Sequence, residues 1–357
     1  MVGSEPTPLV VGIIYPTDWE TRPRELLDAD LQQLAALDPR IEVLEARYLE
    51  TSELRGQRGA DPTLDLRHLA PALTFEQREA FARVEVVVAM DLPFDVGQLA
   101  PRLRWVQGMG AGVSQLASAG LGDAGIRLTT AAGVNAVSIS EFVIARLLQM
   151  WKRLPEIDAK AGEHNWEATY GREVAGLTLG VAGLGAIGRE VARRGRALGI
   201  NVLAQRRSAR PGDVDPDVDE LFGPGGLPEV LRRSDAVVAA LPETADTIDL
   251  FDAELLAEMR PGSLFVNVGR GSAVVEPALI EALQSGHLAG AAIDVARTEP
   301  LPSDSPLWEA PNLLISPHSA TAPGKFWGNL HELFRDNLDR YLRGDRLRNE
   351  VDARVGG

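Results

Sequence analysis

Three side chains suited to acid–base and anion chemistry follow one another in the C-terminal third of the chain. Arg270 lies in the segment NVGRG, Glu299 begins the segment EPLP, and His318 lies in the segment SPHS. An arginine fork can hold a carboxylate, an imidazole can exchange a proton near neutral pH, and a neighbouring carboxylate can orient that imidazole. Arg, Glu and His in this order and spacing predict a site that couples hydride transfer to proton transfer.

Each of these residues also has an ordinary structural explanation. Arg270 could cap a surface turn, Glu299 could be a polar start to a proline-rich loop, and His318 could be a structural histidine. Arg270, however, follows an apolar run and lies between two glycines, which is typical of the carboxyl edge of a parallel sheet where ligands bind. The other four histidines lie in no comparable motif. The functional interpretation is therefore favoured.

A glycine-rich segment earlier in the chain matches the G-x-G-x-x-G pattern of dinucleotide-binding loops. Its candidate cofactor-binding residues are Gly183, Gly185, Ala186, Ile187 and Gly188. The segment follows an apolar run at residues 177–182 and opens a helical pattern at 189–198, so that a helix N-terminus would face a pyrophosphate. The alternative is a turn whose glycines are incidental. The position between a strand and a helix favours a dinucleotide site.

The end of the next predicted strand indicates which coenzyme is preferred. An acidic residue is expected there when the free ribose hydroxyls of NAD are bound. This chain instead has Gln205 followed by Arg206, Arg207 and Ser208. Guanidinium groups suit a 2′-phosphate dianion, so the sequence predicts NADP(H) as the preferred coenzyme, held by these last three residues. The alternative is that the arginines point into solvent and that NAD(H) is bound through other contacts.

The composition excludes several other classes of function. The 357 residues include 51 acidic and 36 basic side chains, a formal net charge of −15, so nucleic-acid binding is not expected. The absence of cysteine excludes disulfides and thiolate metal sites, and no metal site is predicted. Apolar runs fall short of the ~20 residues of a membrane span, and residues 1–8 have no signal pattern. We therefore expect a cytoplasmic protein without a membrane partner.

The hydrophobic pattern predicts an α/β fold, because short β-branched runs alternate with amphipathic stretches. The first strands are predicted at residues 9–15, 42–48, 84–90, 102–107 and 126–130, with helices at 24–37 and 74–83. A long helix at 138–152, closed by Pro155, is predicted to connect two domains. Six further strands are predicted at 177–182, 201–204, 236–241, 263–268, 291–295 and 313–316, followed by a helix at 328–342.

These elements predict two doubly wound α/β domains. Residues 1–134 and 323–357 are predicted to form a flavodoxin-like substrate domain, because the last helix lies beyond the sixth strand of the second series and would return to the first sheet. Residues 135–322 are predicted to form a Rossmann coenzyme domain.

Together the motifs resemble the D-isomer-specific 2-hydroxyacid dehydrogenases, which include glyoxylate/hydroxypyruvate reductases and phosphoglycerate dehydrogenases. The resemblance runs through most of the chain, in LRWVQ at 103–107, GMGAG at 108–112, GVNA at 133–136, the glycine loop at 183–188, LPET at 241–244, NVGRG at 267–271, DV at 294–295, EPLP at 299–302 and SPH at 316–318. It implies reduction of a small 2-oxoacid to the D-2-hydroxyacid with hydride from a nicotinamide. Glyoxylate or hydroxypyruvate is expected, because NADP use is similar to that branch of the family.

The resemblance also implies roles for individual residues. Arg270 would hold the substrate carboxylate and polarise the ketone, while Glu299 would orient His318 as the general acid. Further substrate contacts would come from Met109, Gly110, Ala111 and Gly112. Coenzyme contacts would come from Leu241, Pro242, Thr247, Val268 and Asp294, the last of which resembles the position that bonds the nicotinamide carboxamide. A homodimer is implied, with residues 138–166 as the contact arm.

Some of these roles have alternatives, and the chain departs from the family pattern. The loop at 108–112 could be a simple bend, and Thr247 could be a helix-start residue. Ala296 stands where an aromatic residue commonly follows the Asp-Val pair, and Ser114 stands where an Asp is usual. One alternative activity is oxidation of formate or phosphite on the same scaffold, although the formate branch carries Gln where this chain has Glu299. Another is a cofactor-sensing, corepressor-like scaffold without turnover.

Overall fold

The computed structural model describes residues 8–16 and 24–354 of the chain. Most of the segment considered for a signal pattern, residues 1–7, lies outside the described residues. The chain divides into two compact units, one made of Met1–Val134 with Pro323–Gly357 and the other of Asn135–Ala322. No helix in the described part combines the length and the apolar character that a membrane crossing requires.

The first unit contains a six-stranded sheet. Its strands are β1 (Leu9–Ile13), β2 (Ile41–Glu45), β3 (Val86–Ala89), β4 (Trp105–Gly108), β5 (Arg127–Thr129) and β13 (Glu350–Val351). The order is β13-β5-β4-β3-β1-β2; β13 is antiparallel to β5 and the other pairs are parallel. The order β2-β1-β3-β4-β5 is that of flavodoxin-like sheets. The helices are α1 (Arg24–Ala35), α2 (Ser52–Ala60), α3 (Phe75–Arg83), α4 (Val96–Leu99), α5 (Ser114–Ala117) and α12 (Pro323–Arg343), with a 3-10 turn at Arg67–Leu69.

Both faces of this sheet are covered, because β1 and β3 are buried along their whole length. On one face α12 presents apolar side chains at three- and four-residue steps, among them Leu330, Phe334 and Leu338. Trp105 of β4 packs against Phe334 with ring centroids 5.3 Å apart. The last helix therefore packs on the sheet formed by the first part of the chain.

The second unit contains a seven-stranded sheet in which every pair is parallel. Its strands are β6 (Thr178–Ala182), β7 (Asn201–Gln205), β8 (Glu220–Phe222), β9 (Ala236–Ala239), β10 (Ser263–Asn267), β11 (Leu288–Ile293) and β12 (Leu313–Ile315). The order β12-β11-β10-β9-β6-β7-β8 contains the doubly wound dinucleotide-binding arrangement. The helices are α6 (Ala136–Trp151), α7 (Leu154–Gly162), α8 (Ala186–Ala197), α9 (Leu227–Arg233), α10 (Ala253–Ala257) and α11 (Glu276–Gln284), with 3-10 turns at Gly271–Ala273 and Pro306–Glu309.

The predicted fold class, two doubly wound α/β domains, is confirmed, but two local predictions were wrong. The sheet of the second unit has seven strands rather than six, because β8 (Glu220–Phe222) is short and partly exposed and lacks an apolar run. Pro155 does not close the long helix. That helix ends at Trp151, and Pro155 lies in the first turn of α7, where the missing N–H of proline costs no hydrogen bond.

Candidate active site

His318 and Glu299 form a hydrogen-bonded pair at the carboxyl edge of the second sheet. Glu299 follows β11 and His318 follows β12, two neighbouring parallel strands. The His318 Nδ1 atom lies 2.8 Å from Glu299 Oε2, and Glu299 Oε1 accepts a 3.0 Å hydrogen bond from the Ala296 N–H. Both side chains remain accessible, with 53% of His318 and 39% of Glu299 exposed. Because Nδ1 is engaged by the carboxylate, Nε2 is the ring nitrogen that can exchange a proton with a bound molecule.

The segment that carries His318 is braced by the buried carboxylate of Asp294. Its Oδ1 accepts from Ser316 Oγ at 2.7 Å and from the Ser319 N–H at 2.9 Å, and its Oδ2 accepts from the Ala320 N–H at 3.1 Å. The Asp294 carbonyl accepts from the His318 N–H at 2.8 Å. These bonds hold His318 at a φ of 51°, a left-handed conformation that is uncommon outside glycine. This bracing role was not predicted from the sequence, and the predicted carboxamide contact of Asp294 stays a prediction.

Arg270 lies in a tightly held loop that follows β10. The Asn267 side chain closes the loop, because its Oδ1 accepts from the Gly269 N–H at 3.0 Å and its Nδ2 donates to the Arg270 carbonyl at 3.0 Å. A Cβ on Gly271 would overlap the backbone of Ala296, so only glycine fits there. Arg270 Nη1 donates to the Gly269 carbonyl at 2.8 Å. Among the described residues, the hydrogen bonds of Arg270 do not join it to Glu299 or His318.

The glycine loop between β6 and α8 has space for a dinucleotide at one of its three glycines. Gly183 has a φ of +97°, and a Cβ there would lie 2.7 Å from the Ala240 carbonyl oxygen. A Cβ on Gly188 would overlap the Gly183 carbonyl oxygen. In contrast, a Cβ on Gly185, at the N-terminus of α8, would meet no protein atom within 4 Å. The first and third glycines are required by the fold, whereas the second leaves open the place where a pyrophosphate would approach.

The residues predicted to bind a 2′-phosphate follow β7, but one of them is already paired. Arg206 Nη1 donates to Asp215 Oδ2 at 3.2 Å, and the Arg206 N–H donates to the Phe222 carbonyl at 2.9 Å. Arg207 is 78% exposed and Ser208 is also exposed. No acidic residue follows β7 directly in the sequence. The fold nevertheless places Asp215, from the loop before β8, in contact with Arg206 at the end of β7.

The other predicted coenzyme contacts lie at the same edge of the sheet, after β9 and β10. Thr247 Oγ1 donates to the Pro242 carbonyl at 2.7 Å and accepts from the Thr244 N–H at 2.8 Å. The segment is a turn, so Thr247 does not begin a helix. Leu241 is partly buried, and the N–H of the buried Val268 donates to the Ala239 carbonyl at 3.1 Å.

The predicted substrate loop lies in the first unit and follows β4. The N–H of the buried Met109 donates to the Ala89 carbonyl at 3.2 Å, and the Gly110 carbonyl accepts from the Ala131 N–H at 2.7 Å. Ala111 and Gly112 are exposed at the tip of the loop. The start of the loop is therefore bonded to the segments at the ends of both neighbouring strands, β3 and β5. Its tip stays accessible, as a site for a small anion requires.

A pocket of about 610 Å³ adjoins the histidine and glutamate of the second unit. Besides Glu299 and His318, it is lined mainly by apolar residues that include Val295, Ala296, Leu301, Trp308 and Ile315. Over residues 8–16 and 24–354, no group of three or more His, Asp or Glu side chains is arranged to hold a metal ion. The pair formed by His318 and Glu299 therefore places a proton-exchanging imidazole beside a largely apolar pocket.

Comparison with known proteins identifies relatives of this architecture. Residues 144–320 match the family model of the D-isomer specific 2-hydroxyacid dehydrogenase, NAD binding domain. The chain is 32% identical over 267 residues to a glyoxylate reductase from Korarchaeum cryptofilum, which covers 73% of this chain and 80% of the relative. It is 31% identical over 297 residues to glyoxylate/hydroxypyruvate reductase B from Escherichia fergusonii, covering 81% and 90%.

One solved structure extends the comparison to almost the whole chain. It is an NADPH-dependent glyoxylate/hydroxypyruvate reductase from Sinorhizobium meliloti in complex with NADP and sulfate, with 28% sequence identity and a TM-score of 0.73. The match covers 99% of this chain and 100% of that one.

Proposed function

The chain belongs to the D-isomer-specific 2-hydroxyacid dehydrogenase family and is an NAD(P)-dependent oxidoreductase, and we propose that it reduces a small 2-oxoacid of the glyoxylate or hydroxypyruvate type with His318 as the general acid. The observation that carries this proposal is the 2.8 Å contact between His318 Nδ1 and Glu299 Oε2. It orients an accessible imidazole so that its Nε2 can donate a proton to a bound molecule.

In this proposal His318 and Arg270 act on different parts of the substrate. The bound nicotinamide supplies the hydride that adds to the carbonyl carbon. His318 Nε2 gives its proton to the carbonyl oxygen, on which negative charge develops, and Glu299 orients the ring through its bond to Nδ1. Arg270 holds the substrate carboxylate through its guanidinium fork. The exposed amides of Ala111 and Gly112 in the first unit stay proposed substrate contacts.

We further propose that NADPH is preferred over NADH. Arg206 and Arg207 follow β7, where the 2′ group of a bound dinucleotide is read, and the relative from Sinorhizobium meliloti is described as NADPH-dependent. Measurement of kcat/KM with both coenzymes tests this preference. A preference for NADH that is unchanged in the Arg206→Ala variant would contradict it.

The substrate is tested with a panel of 2-oxoacids. We expect oxidation of NADPH with glyoxylate and hydroxypyruvate, and slower turnover with pyruvate and with bulkier 2-oxoacids. Formate and phosphite with NADP⁺ are included, because reduction of NADP⁺ by either would identify oxyanion oxidation instead. Coenzyme binding without turnover on any member of the panel would contradict the proposed reductase activity.

We also propose that the protein is a homodimer whose contact arm is residues 138–166. The proposal is supported by large side chains that are left exposed on and beside this arm, since Trp166 and Tyr170 are almost fully accessible. An open pocket of about 330 Å³ adjoins Tyr170, and it is also lined by Met150 and Trp151. Exposed aromatic surface of this kind commonly marks a protein interface. Light scattering that shows only a 38.4 kDa particle would contradict the dimer. The cytoplasmic location stays a prediction.

A further inference from the structure

The Arg206 side chain is held against the protein rather than extended into solvent. Its backbone is fixed at the carboxyl edge of the sheet, because the Arg206 N–H donates to the carbonyl of Phe222, the last residue of β8. The side chain is 29% exposed, and its Nε is buried without a hydrogen-bond partner among the described residues. The 3.2 Å bond from Nη1 to Asp215 Oδ2 therefore determines the direction in which the guanidinium points.

Asp215 is itself fixed by a second arginine. Arg189 of α8 donates from Nη1 to Asp215 Oδ1 at 2.8 Å and from Nη2 to Asp215 Oδ2 at 2.7 Å, a bidentate pair. The Asp215 side chain is 5% exposed, and the Arg189 hydrogen bond holds the pKa of its carboxyl below the ordinary value. Asp215 therefore links the helix after the glycine loop, through Arg189, to the arginine after β7.

Arg207 has no comparable anchor. Its side chain is 78% exposed, and its guanidinium lies 4.0 Å from Asp246, which is 81% exposed. An exposed pair at this distance contributes little fixed geometry. Of the two arginines, only Arg206 is held in one orientation before a ligand arrives.

From this arrangement we infer that Asp215 is a positioning residue for coenzyme selection, which holds the Arg206 guanidinium toward the 2′-phosphate of the bound coenzyme. The inference rests on the proposed preference for NADPH. A preorganised arginine loses less side-chain freedom on binding than a mobile one. Asp215 therefore acts through Arg206 and does not itself contact the coenzyme.

The negative charge of Asp215 would affect 2′-phosphate binding in the opposite direction. Its negative charge repels a phosphate, so a purely electrostatic role would make 2′-phosphate binding tighter when the charge is removed. A positioning role makes it weaker, because Arg206 must then be immobilised by the ligand alone. The direction of the change distinguishes the two roles.

The experiment measures calorimetric Kd values of the coenzyme-free protein for adenosine 2′,5′-bisphosphate and for adenosine 5′-monophosphate. These probes differ only in the 2′-phosphate, and no turnover is required. We expect Asp215→Asn to weaken the bisphosphate by roughly two- to tenfold, the cost of immobilising one long side chain, and to leave the monophosphate unchanged. Asp217→Asn is the matched control, because Asp217 accepts from Arg189 and Arg193 in the same network without contacting Arg206. Melting temperatures verify that each variant is folded.

Each of the following results would overturn the inference, and together they separate it from the proposal on which it rests. Tighter bisphosphate binding by Asp215→Asn would assign Asp215 a screening role. Equal weakening of both probes, or the same change in Asp217→Asn, would indicate a general structural effect. If the wild-type protein binds the two probes equally, the preference for NADPH fails and the inference fails with it. A wild-type preference that Asp215→Asn leaves intact would refute the inference alone.

Discussion

Glu299 is bonded through both of its carboxylate oxygens, one to the imidazole of His318 at 2.8 Å and the other to the Ala296 N–H at 3.0 Å. The carboxylate therefore has one orientation relative to the backbone, and it transmits that orientation to the ring. In addition, the buried Asp294 accepts hydrogen bonds from the Ser316 side chain and from two backbone N–H groups of the segment that follows β12. The imidazole is thus fixed through its ring and through its own backbone.

Replacement of His318 tests its role as the proton donor. We expect His318→Ala to lower kcat by about 10² to 10⁴, the usual contribution of general acid–base catalysis, while the Kd of NADPH stays within about twofold. Steady-state kinetics and coenzyme titration measure the two quantities. His68→Ala, at an exposed position in the first unit, is the control and should leave both unchanged. Near-normal turnover by His318→Ala would remove the residue from the reaction.

Arg270→Lys tests whether binding of the substrate carboxylate needs the planar guanidinium fork of arginine or only a positive charge. A lysine ammonium keeps the positive charge but cannot make two parallel hydrogen bonds to a carboxylate. We expect kcat/KM to fall by about 10- to 100-fold, as the loss of one charged hydrogen bond would give. Arg260→Lys is the control, since the half-exposed Arg260 pairs with Asp235 in the same unit. If both variants keep wild-type kinetics, the substrate-binding role of Arg270 is wrong.

The glycine loop offers a pair of substitutions with opposite expected effects. A Cβ on Gly185 meets no protein atom, and the residue has a φ of −88°, so Gly185→Ala should leave the melting temperature unchanged but weaken coenzyme binding. A Cβ on Gly188 overlaps the Gly183 carbonyl, so Gly188→Ala should destabilise the fold by about 1–3 kcal/mol. Thermal unfolding and coenzyme titration of both variants provide the test. Unaltered coenzyme affinity in Gly185→Ala would exclude a close approach of the pyrophosphate.

Local sequence patterns predicted those parts of the site that depend on neighbouring residues. The strand, glycine loop and helix at residues 177–198 form one continuous pattern, and the segments that carry Arg270, Glu299 and His318 each follow a predicted strand. Asp215 and the bracing role of Asp294 were not predicted, because their partners are set by how separate loops meet in three dimensions. The strand β8 was missed for a related reason: its pairing with β7 compensates for a segment with little apolar character of its own.

The apolar pocket beside His318 predicts how substrate size is controlled. Ala296 lines this pocket together with larger side chains such as Leu301 and Trp308, and a Phe at position 296 would occupy part of its volume of about 610 Å³. We expect Ala296→Phe to reduce kcat/KM for 4-methyl-2-oxopentanoate or phenylpyruvate by about tenfold or more, with glyoxylate changed by less than about threefold. An equal loss on all substrates would mean that the pocket does not receive the substrate side chain.

The arginine-bound aspartates of the second unit predict how the free energy of unfolding falls at acidic pH. The hydrogen bond from Arg193 holds the pKa of Asp217 below its ordinary value, and Arg189 does the same for Asp215. A depressed pKa in the folded state means that the unfolded chain binds protons more readily. The stabilisation is therefore fully present above the unfolded pKa of about 3.9 and is lost as the pH falls through the lower folded values.

We expect the free energy of unfolding, measured by urea titration, to decline below about pH 4 and to decline less steeply in Asp217→Asn. At pH 7 that variant should be less stable by roughly 0.5–1 kcal/mol, because its partner Arg193 is half exposed and the pair is screened by solvent. Asp304→Asn, at an exposed position, should keep the wild-type pH dependence. If the free energy of unfolding depends on pH in the same way in the wild-type protein and in Asp217→Asn, these ion pairs do not cause the loss of stability at acidic pH.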